Sequence, residues 1–326
     1  MTTPLRIGDP AALPSRLRGG VVAIGNFDGV HRGHHAVLDC ARDEAAKLGA
    51  PFVVLTFEPH PRAVFRPGEP LFRLTPAPLK ARLLGMVGAA CVVELGFDAA
   101  VAAMSAEEFV QTVLVGALAI RHAVTGFDFH FGKGRQGNPT FLKAAGERLG
   151  FRVSVVEAFG DEGGSVVSSS RIRELLETGD VAEAAGLLGY RYTVQAEVSH
   201  GAKLGRTLGF PTANMELPAG TALRHGIYAV RLREPDGTLH DGVASFGRRP
   251  TVEDSGRPLL ETYLFDYAGD LYGKLCSVSF FGFLRPELKF DGLDPLVAQM
   301  NRDAEEARAL LSAVRPLGEA DMELAF

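Results

Sequence analysis

Residues 21–34 read VVAIGNFDGVHRGH, and this stretch decides the fold of the first half of the chain. It opens with the apolar run Val21–Ile24, which is typical of a short buried strand. A polar loop with several glycines follows, and apolar residues then recur at helical spacing until Gly49 ends the helix. The stretch therefore predicts a strand, a loop and a helix in direct succession.

The same alternation continues to about residue 188. Apolar runs predict further strands at Val53–Phe57, Cys91–Leu95, Ala123–Thr125 and Phe151–Val156. Helical spacing predicts helices at Leu79–Val87, Phe109–Leu118, Phe141–Leu149, Arg171–Thr178 and Val181–Leu188. Ser105 and Glu108 have the spacing of a capping box before the second of these helices. Such alternation is typical of an α/β fold with a parallel sheet covered on both faces.

After residue 188 the pattern changes to short strands separated by turns. The strands are predicted at Tyr192–Ser199, Ile227–Arg233, Gly242–Phe246, Glu261–Phe265 and Ser277–Phe283. A long helix is predicted only near the end, at Pro295–Leu311. This pattern indicates a small antiparallel β-barrel with a terminal helix. We therefore predict two domains, residues 1–187 and 188–326.

The composition is that of an ordinary globular protein, with 46% hydrophobic and 22% charged residues in 326. A net charge of -5 argues against a general nucleic-acid binder. The longest apolar stretch, Val110–Ile120, is too short to span a membrane, and no signal peptide is predicted. Three widely spaced cysteines without a CxxC pair predict neither a zinc site nor a disulfide framework. We expect a cytoplasmic protein, and its oligomeric state is left open.

The loop at residues 25–34 holds the candidate site of the first half. Ligands of open α/β sheets bind at the carboxyl ends of strands, and a helix N-terminus favours phosphate groups. Because it has no side chain, Gly33 lets the backbone approach a ligand closely. The candidate residues are Gly25, Phe27, Asp28, His31, Gly33 and His34. The alternatives are a surface turn with two incidental histidines and, more weakly, a metal site, for which no third ligand stands out nearby.

A second glycine-containing stretch, Gly132–Gly137, fits the pattern GxGxxG, and Glu157 lies twenty residues beyond it. By itself the pattern suggests dinucleotide binding and an oxidoreductase. However, a dinucleotide fingerprint normally occupies the first strand–helix turn, where the histidine loop already lies. We therefore favour a basic loop or a plain surface turn for this stretch.

The second half contains the glycine-rich segment HGAKLGRTLGFPTAN at residues 200–214. Its glycines permit a tight loop whose backbone can cradle phosphates. The candidate phosphate ligands are Gly201, Lys203, Gly205, Arg206 and Gly209. The oxygen atoms of Thr212 and Asn214 suit Mg²⁺ bound with ATP. A glycine-rich barrel turn without a ligand is an equally good interpretation of the composition.

Several motifs resemble one family, the bifunctional bacterial riboflavin kinase/FAD synthetases. FDGVHRGH at residues 27–34 resembles the HxGH motif of nucleotidylyltransferases. Further resemblances of the first half are TFEPHP (56–61), GFDFHFG (126–132) and SSSRIR (168–173). GRTLGFPTAN (205–214) resembles the riboflavin kinase motif, and GRRPT (247–251), LETYL (260–264), DLYGK (270–274) and LRPE (284–287) resemble other kinase segments. The departures from the family pattern are Glu58, Ser170, Tyr263 and the pair Tyr190-Arg191.

The resemblance implies a Rossmann-like nucleotidylyltransferase domain followed by a riboflavin kinase-like barrel. It implies that the barrel phosphorylates riboflavin to FMN with ATP and Mg²⁺, and that the first domain joins FMN to AMP to give FAD. The implied residues are His31 and His34 for catalysis, Ser169, Ser170 and Arg173 for phosphate binding, Asp128 and Phe129 for flavin binding, and Glu261 as the general base. The alternatives are a single-activity adenylyltransferase with a flavin-binding barrel and a non-catalytic flavin-binding protein.

Overall fold

The computed structural model describes residues 4–199, 212–248 and 258–326. The chain divides into two compact units. The first comprises Met1–Leu71 and Thr75–Ser168, and the second comprises Phe72–Leu74 and Ser169–Phe326. The predicted phosphate ligands of the glycine-rich segment lie outside the described residues: Gly201, Lys203, Gly205, Arg206 and Gly209.

The first unit alternates strands and helices, as the sequence predicts. Its strands are β1 (Leu5–Ile7), β2 (Val21–Ile24), β3 (Phe52–Glu58), β4 (Cys91–Gly96), β5 (His122–Gly126) and β6 (Arg152–Val156). Its α-helices are α1 (Arg32–Leu48), α2 (Pro61–Phe65), α3 (Ala77–Met86), α4 (Ala99–Ala103), α5 (Ala106–Glu108) and α6 (Pro139–Leu149).

One predicted helix differs in its winding. The capping box of Ser105 and Glu108 is present at the start of α5, as predicted. The helix predicted at Phe109–Leu118 follows α5 directly, but it is π-helical over Phe109–Ala117. This wider winding is rare and is not encoded in residue propensities, so the sequence pattern predicted an ordinary helix.

All strand pairs of the first unit are parallel, and their order is β1-β4-β3-β2-β5-β6. From β2 the chain runs through β3 to β4 on one side, and β5 then pairs with β2 on the other side. The strand order therefore reverses between β2 and β5. At such a switch point the loops after the two strands diverge and leave a crevice for a ligand.

Burial on both faces explains the continuous apolar runs of this sheet. All four residues of β2 are buried, and so are the first six residues of β3. One face packs against a core cluster that includes Val110 and Leu114 of the π-helical stretch and Leu142 of α6. Strands buried on both faces lose the alternation of polar and apolar residues, which is why the sequence showed apolar runs there.

The second unit begins with two helices and continues as a barrel. Its α-helices are α7 (Ser169–Thr178), α8 (Val181–Leu188), α9 (Leu293–Ala313) and α10 (Glu319–Ala325). Its strands are β7 (Thr193–Ser199), β8 (Thr212–Glu216), β9 (Gly226–Arg233), β10 (Leu239–Gly247), β11 (Leu259–Leu264) and β12 (Leu275–Arg285). These strands pair antiparallel in a closed barrel, in the order β10-β11-β8-β7-β12-β9, so the predicted fold class is confirmed.

Two elements of the second unit were not predicted. Strand β8 carries Thr212 and Asn214, which the sequence analysis left in a glycine-rich loop. Its five residues are too few for a clear alternation, and its pairing with β7 and β11 fixes it as a strand. Helix α10 is also short, with seven residues, and Arg231 and Arg233 of β9 donate to carbonyl groups at its end.

A buried ion pair connects α10 to the segment between α8 and β7. Asp321 is fully buried, and it accepts hydrogen bonds from the Arg191 backbone N–H at 2.7 Å and from the Arg191 guanidinium at 2.6 Å. The Leu317 N–H donates to the same carboxylate at 2.9 Å. Burial lowers the pKa of Arg191 from the ordinary arginine value, while the Asp321 carboxylate acts in the opposite sense.

We expect Asp321→Asn to lower the free energy of unfolding of the second unit by about 3–5 kcal/mol, because the buried Arg191 loses its counter-charge. Urea denaturation followed by circular dichroism measures the effect. The matched control is Asp266→Asn, which removes the exposed pair of Asp266 and Arg308 at a positive φ of 55° that asparagine tolerates. Exposed pairs contribute about 0–1 kcal/mol, so equal losses in the two variants would contradict the expected role.

Candidate functional site

The histidine loop lies at the switch point of the first unit. It connects β2 to α1, and Ile24 at the end of β2 pairs with Thr125 near the end of β5. The segment after β5 carries Asp128 and Phe129, so both predicted motifs leave the sheet at the same edge. The fold thus brings the histidine loop and the predicted flavin segment side by side.

The backbone of the histidine loop is strained and is held by buried hydrogen bonds. Phe27 and Val30 have positive φ values of 49° and 37°, which residues with side chains rarely adopt. The Asp28 carboxylate accepts from the Thr75 N–H at 3.0 Å and from the Thr75 hydroxyl at 3.3 Å. The Gly29 N–H donates to the Thr75 hydroxyl at 2.9 Å. Strain of this kind persists only where its surroundings hold it, and it is frequent at functional sites.

The two predicted catalytic histidines form a stacked pair at the N-terminus of α1. Their ring centroids are 3.6 Å apart with an interplanar angle of 17°. His31 is the N-cap of α1, and its Nδ1 accepts from the His34 backbone N–H at 3.3 Å. An accepting Nδ1 places the proton of a neutral ring on Nε2. The pair therefore lies where backbone N–H groups and the helix dipole favour phosphate.

His34 is held neutral by its surroundings. Burial lowers its pKa well below the ordinary value, and the positive charges that His31, His35 and Lys80 can carry lower it further. Its Nδ1 is buried and has no hydrogen-bond partner within the described ranges. A neutral imidazole with an unused ring nitrogen can donate to or accept from a ligand, but it supplies no full charge at neutral pH.

Two glycines of the loop are required by close packing. A Cβ on Gly33 would lie 2.9 Å from the Val167 carbonyl oxygen and 3.1 Å from Nδ1 of His31. A Cβ on Gly25 would lie 3.0 Å from the Phe27 ring, which itself meets the His34 ring edge-on at 5.3 Å. The glycines therefore let the loop fold tightly around the histidine pair.

The residues predicted on the flavin side follow β5. Asp128 is exposed, and its backbone carbonyl accepts from His130 Nδ1 at 2.8 Å, if that nitrogen carries the proton. The Phe129 ring is partly buried and stacks on Phe131 with centroids 5.3 Å apart. Phe127, which the sequence analysis did not single out, has 47% of its surface exposed. It offers more accessible aromatic surface than Phe129.

The predicted phosphate residues of the serine run belong to the second unit. Ser169 and Ser170 occupy the first turn of α7, and the guanidinium of Arg173 donates through Nε to the Phe72 carbonyl at 2.6 Å. The backbone of Phe72 is part of the same unit. Their role in phosphate binding stays a prediction.

The GxGxxG stretch does not form a dinucleotide-binding turn. Phe131 and Gly137 form an antiparallel bridge, and a short 3₁₀ turn at Lys133–Arg135 lies between them. A Cβ on Gly137 would lie against the Phe131 ring at 2.6 Å. Its glycines therefore serve a tight local bridge and not a phosphate-binding helix N-terminus.

In the barrel, Thr212, Asn214 and Glu261 share one face. Asn214 of β8 lies directly opposite Glu261 of β11, and such cross-strand neighbours have Cβ atoms about 5 Å apart. Thr212 is two residues from Asn214 and so points to the same side. Opposite Glu261 on its other flank lies Ser245 of β10, and a Cβ on Gly247 of that strand would meet the Glu287 carboxylate. We call Thr212, Asn214 and Glu261 the barrel strip.

Asn214 has an unpaired acceptor in the barrel strip. It is 3% exposed, and its side-chain N–H donates to the Thr212 carbonyl at 3.1 Å. Its Oδ1 has no hydrogen-bond partner among the described residues. A buried acceptor without a donor is costly, and a divalent cation would satisfy it. Across the described ranges no group of three or more His, Cys, Asp or Glu side chains could hold a metal by itself.

Two residues that hold the histidine loop were missed by the sequence analysis. Thr75 lies in a loop without a distinguishing pattern, so no local signal marks it. Lys80 did have a signal, because it shares a face of α3 with Leu83 and Leu84, three and four residues later, and all three are buried. A lysine at such a position is unusual and points to a buried function.

An α/β unit with a helix N-terminus built for phosphate, joined to a barrel with its own polar strip, is the architecture of a two-module enzyme that uses nucleotides. The comparisons with known proteins agree with this class. A family model described as FAD synthetase matches residues 13–171, and one described as riboflavin kinase matches residues 188–311. The chain belongs to the family of bifunctional riboflavin kinase/FMN adenylyltransferases.

Relatives with that name are similar over most of their length. The protein of Pseudomonas fluorescens is 42% identical over 90% of this chain and 93% of its own. The proteins of Escherichia coli K12 and Bacillus subtilis are 39% and 35% identical, and the matches cover 95% and 93% of their chains. A crystal structure described as a macrolide-efflux protein from Streptococcus pneumoniae has a TM-score of 0.83 at 30% identity and covers 94% of this chain and 99% of that one. No helix in the described part of this chain is long and apolar enough to cross a membrane.

Proposed function

We propose that the chain makes FAD from riboflavin in two ATP-dependent steps. The barrel transfers the γ-phosphoryl group of ATP to riboflavin and gives FMN. The α/β unit transfers the AMP part of ATP to FMN and gives FAD and pyrophosphate. The observation that carries the proposal is that each unit has a polar site of its own, the stacked pair of His31 and His34 in the first and the barrel strip in the second.

In the second step a phosphate oxygen of FMN attacks the α-phosphorus of ATP, and the bond to the bridging oxygen of pyrophosphate breaks. The reaction needs no covalent intermediate, so the protein holds the phosphates in line and stabilises developing charge. We assign His31 and His34 as hydrogen-bond donors to the ATP phosphates. We assign Ser169, Ser170 and Arg173 as further phosphate ligands, because a guanidinium can bind two phosphate oxygens at once.

Other residues of the loop shape the site. Gly25, Phe27 and Gly33 give the loop its tight path around the histidine pair. Asp28 was predicted as a phosphate ligand, but we propose that it is a positioning residue, because its carboxylate is buried against Thr75 and would repel a phosphate.

On the flavin side, Asp128 and Phe129 stay our candidates for contact with FMN, and the exposed ring of Phe127 joins them. An exposed aromatic ring beside the switch point suits a flat flavin ring system, which stacks on aromatic faces.

In the first step Glu261 accepts the proton of the riboflavin 5′-hydroxyl as the phosphoryl group is transferred. Thr212 and Asn214 would hold a divalent cation, which we take to be Mg²⁺, and the unpaired Oδ1 of Asn214 fits this role. When bound, the cation would neutralise charge on the ATP phosphates. The predicted phosphate ligands Gly201, Lys203, Gly205, Arg206 and Gly209 precede this strand in the sequence.

We assign the adenylyltransferase to residues 1–187 and the kinase to residues 188–326, although the compact units divide at residues 168 and 169. This functional boundary and a cytoplasmic location stay predictions. The alternative function is a single-activity adenylyltransferase with a flavin-binding barrel. Thr212, Asn214 and Glu261 on one barrel face argue against it, because flavin binding alone requires no such combination.

We expect purified protein with riboflavin, ATP and Mg²⁺ to form FMN first and FAD later, as measured by chromatography of the flavins. Both products should disappear when EDTA removes the divalent cation, because the charge of the ATP phosphates is then not neutralised. Supplied FMN converted to FAD while riboflavin stays unchanged would support the single-activity alternative. Riboflavin and FMN both unchanged by folded protein would overturn the proposal.

A further inference from the structure

The first unit contains a fully buried lysine that the proposed reaction does not use. Lys80 of α3 is 1% exposed. Its ammonium donates to the Thr56 hydroxyl at 3.0 Å and to the Asn26 carbonyl at 3.3 Å. Glu58 Oε2 lies 3.8 Å from the same nitrogen, and the Glu58 side chain is 27% exposed. Removing an ammonium group from water costs several kcal/mol of free energy, and lysines are rarely fully buried. The burial of Lys80 therefore needs an explanation.

The contacts of Lys80 converge on the start of the histidine loop. The Asn26 carbonyl accepts from Lys80 and also from the Thr56 hydroxyl at 3.0 Å. This carbonyl belongs to the peptide that precedes Phe27, the first residue of the loop with a positive φ. Fixing that peptide plane fixes the direction in which the Phe27 ring leaves the backbone, and this ring packs edge-on against His34. Lys80 is thus connected to His34 through a single strained residue.

We propose that Lys80 is a positioning residue for adenylyl transfer, whose ammonium fixes the Asn26 peptide and so holds His34 in its place at the phosphate site. The inference rests on the proposed adenylyl transfer at the histidine loop. Lys80 and Thr56 bind the loop at Asn26, and Thr75 binds it at Asp28 and Gly29. These contacts hold the chain on both sides of the strained residue Phe27.

The charge of Lys80 has a second effect on the same histidine. Together with burial and with His31 and His35, it lowers the pKa of His34. Removal of this charge therefore moves the His34 pKa upward, toward its ordinary value. This effect follows from the charge alone and is smaller than that of burial, so it accompanies the contact with Asn26 and does not replace it as the basis of the proposal.

Lys80→Met tests the proposal, because methionine keeps the length and the apolar stem but removes the charge and the donors. We expect the fold to tolerate the change, since the Asn26 carbonyl still accepts from Thr56 and Glu58 is partly exposed. The matched control is Lys143→Met, at an exposed position of α6. Both variants are made in the full chain, so riboflavin phosphorylation reports that the barrel is intact, and thermal unfolding followed by circular dichroism reports whether the α/β unit is folded.

The measurements are kcat and KM for FAD formation from FMN and ATP, and the titration of the His34 ring by NMR in ligand-free protein. We expect Lys80→Met to lower kcat about 10- to 100-fold, as misplacement of a group near the reacting atoms does. We also expect the His34 titration to move to higher pH, while riboflavin phosphorylation and the Lys143→Met protein stay as in wild type.

The outcomes separate this inference from the function on which it rests. Wild-type protein that forms no FAD overturns the proposed adenylyl transfer and this inference with it. Wild-type activity together with a Lys80→Met variant within about twofold of it overturns the inference alone. A loss of FAD formation in a variant whose α/β unit has lost its structure by circular dichroism, or with an equal loss of riboflavin phosphorylation, makes Lys80 a structural residue and also overturns it.

Discussion

His34→Ala lowers the rate of FAD formation from FMN by about a hundred- to a thousandfold, the effect of removing one preorganised hydrogen-bond donor from a charge-stabilising site. FMN accumulates from riboflavin in the same protein, because the barrel strip lies in the other unit. Chromatography of the flavins over time measures both rates. The matched control is Lys47→Ala, which changes an exposed side chain in the last turn of the same helix and should keep FAD formation close to wild type.

The pH dependence of the wild-type protein provides an independent check on His34. Because its pKa is lowered well below the ordinary value, the ring is already neutral at pH 7 and becomes charged only in acid. FAD formation should therefore show no loss from deprotonation of His34 as pH rises from about 6.5 to 8, the range in which an ordinary histidine loses its proton. Equal loss of both activities in folded His34→Ala protein would contradict the separation of the two sites.

Glu261→Gln lowers the rate of riboflavin phosphorylation by about a hundred- to ten-thousandfold, the usual contribution of a general base. Glutamine keeps the shape of the side chain but cannot accept the hydroxyl proton. Conversion of supplied FMN to FAD should stay near wild type, and binding of ATP and riboflavin should change little, because Thr212 and Asn214 are retained. The matched control is Glu197→Gln, which changes an exposed carboxylate of β7 and should leave both activities intact.

The size of the Glu261→Gln effect decides the role of the residue. Loose phosphoryl-transfer transition states need only modest help from a base. A loss of less than about tenfold would therefore count against Glu261 as the base. Near-normal phosphorylation with weakened substrate binding would make it a positioning residue of the barrel strip.

Local sequence patterns predicted most of the fold because apolar runs mark its strands and glycines mark the ends of its helices. The runs at Val21–Ile24 and Cys91–Leu95 are strands, and Gly49 ends α1 in the left-handed conformation that glycine adopts at low cost. Strand β8 escaped prediction because its five residues depend on hydrogen bonds to two partner strands far away in the sequence. The terminal helix α10 escaped prediction for a similar reason, since Asp321 is held by Arg191, 130 residues earlier.

The sequence proposed which residues belong to the candidate site, but it did not predict how those residues are arranged or what they contact. Loop position and glycine spacing marked His31 and His34, and the family resemblance marked Glu261. Local sequence did not show that Asp28 is buried against Thr75, because this contact spans 47 residues and follows no periodic pattern.

The sequence alone predicted that strands and helices alternate before a barrel, and it proposed the residues of both candidate sites, because periodicity, turn chemistry and motifs are local properties of the chain. The folded structure was needed to show that the histidine loop lies at a switch point, that Asn214 lies opposite Glu261, and that the buried Lys80 donates to the Asn26 carbonyl. The physical reason is that strand order, register and the pairing of buried charges depend on which distant segments pack together. Those contacts stabilise the structure only after folding has brought the distant segments together.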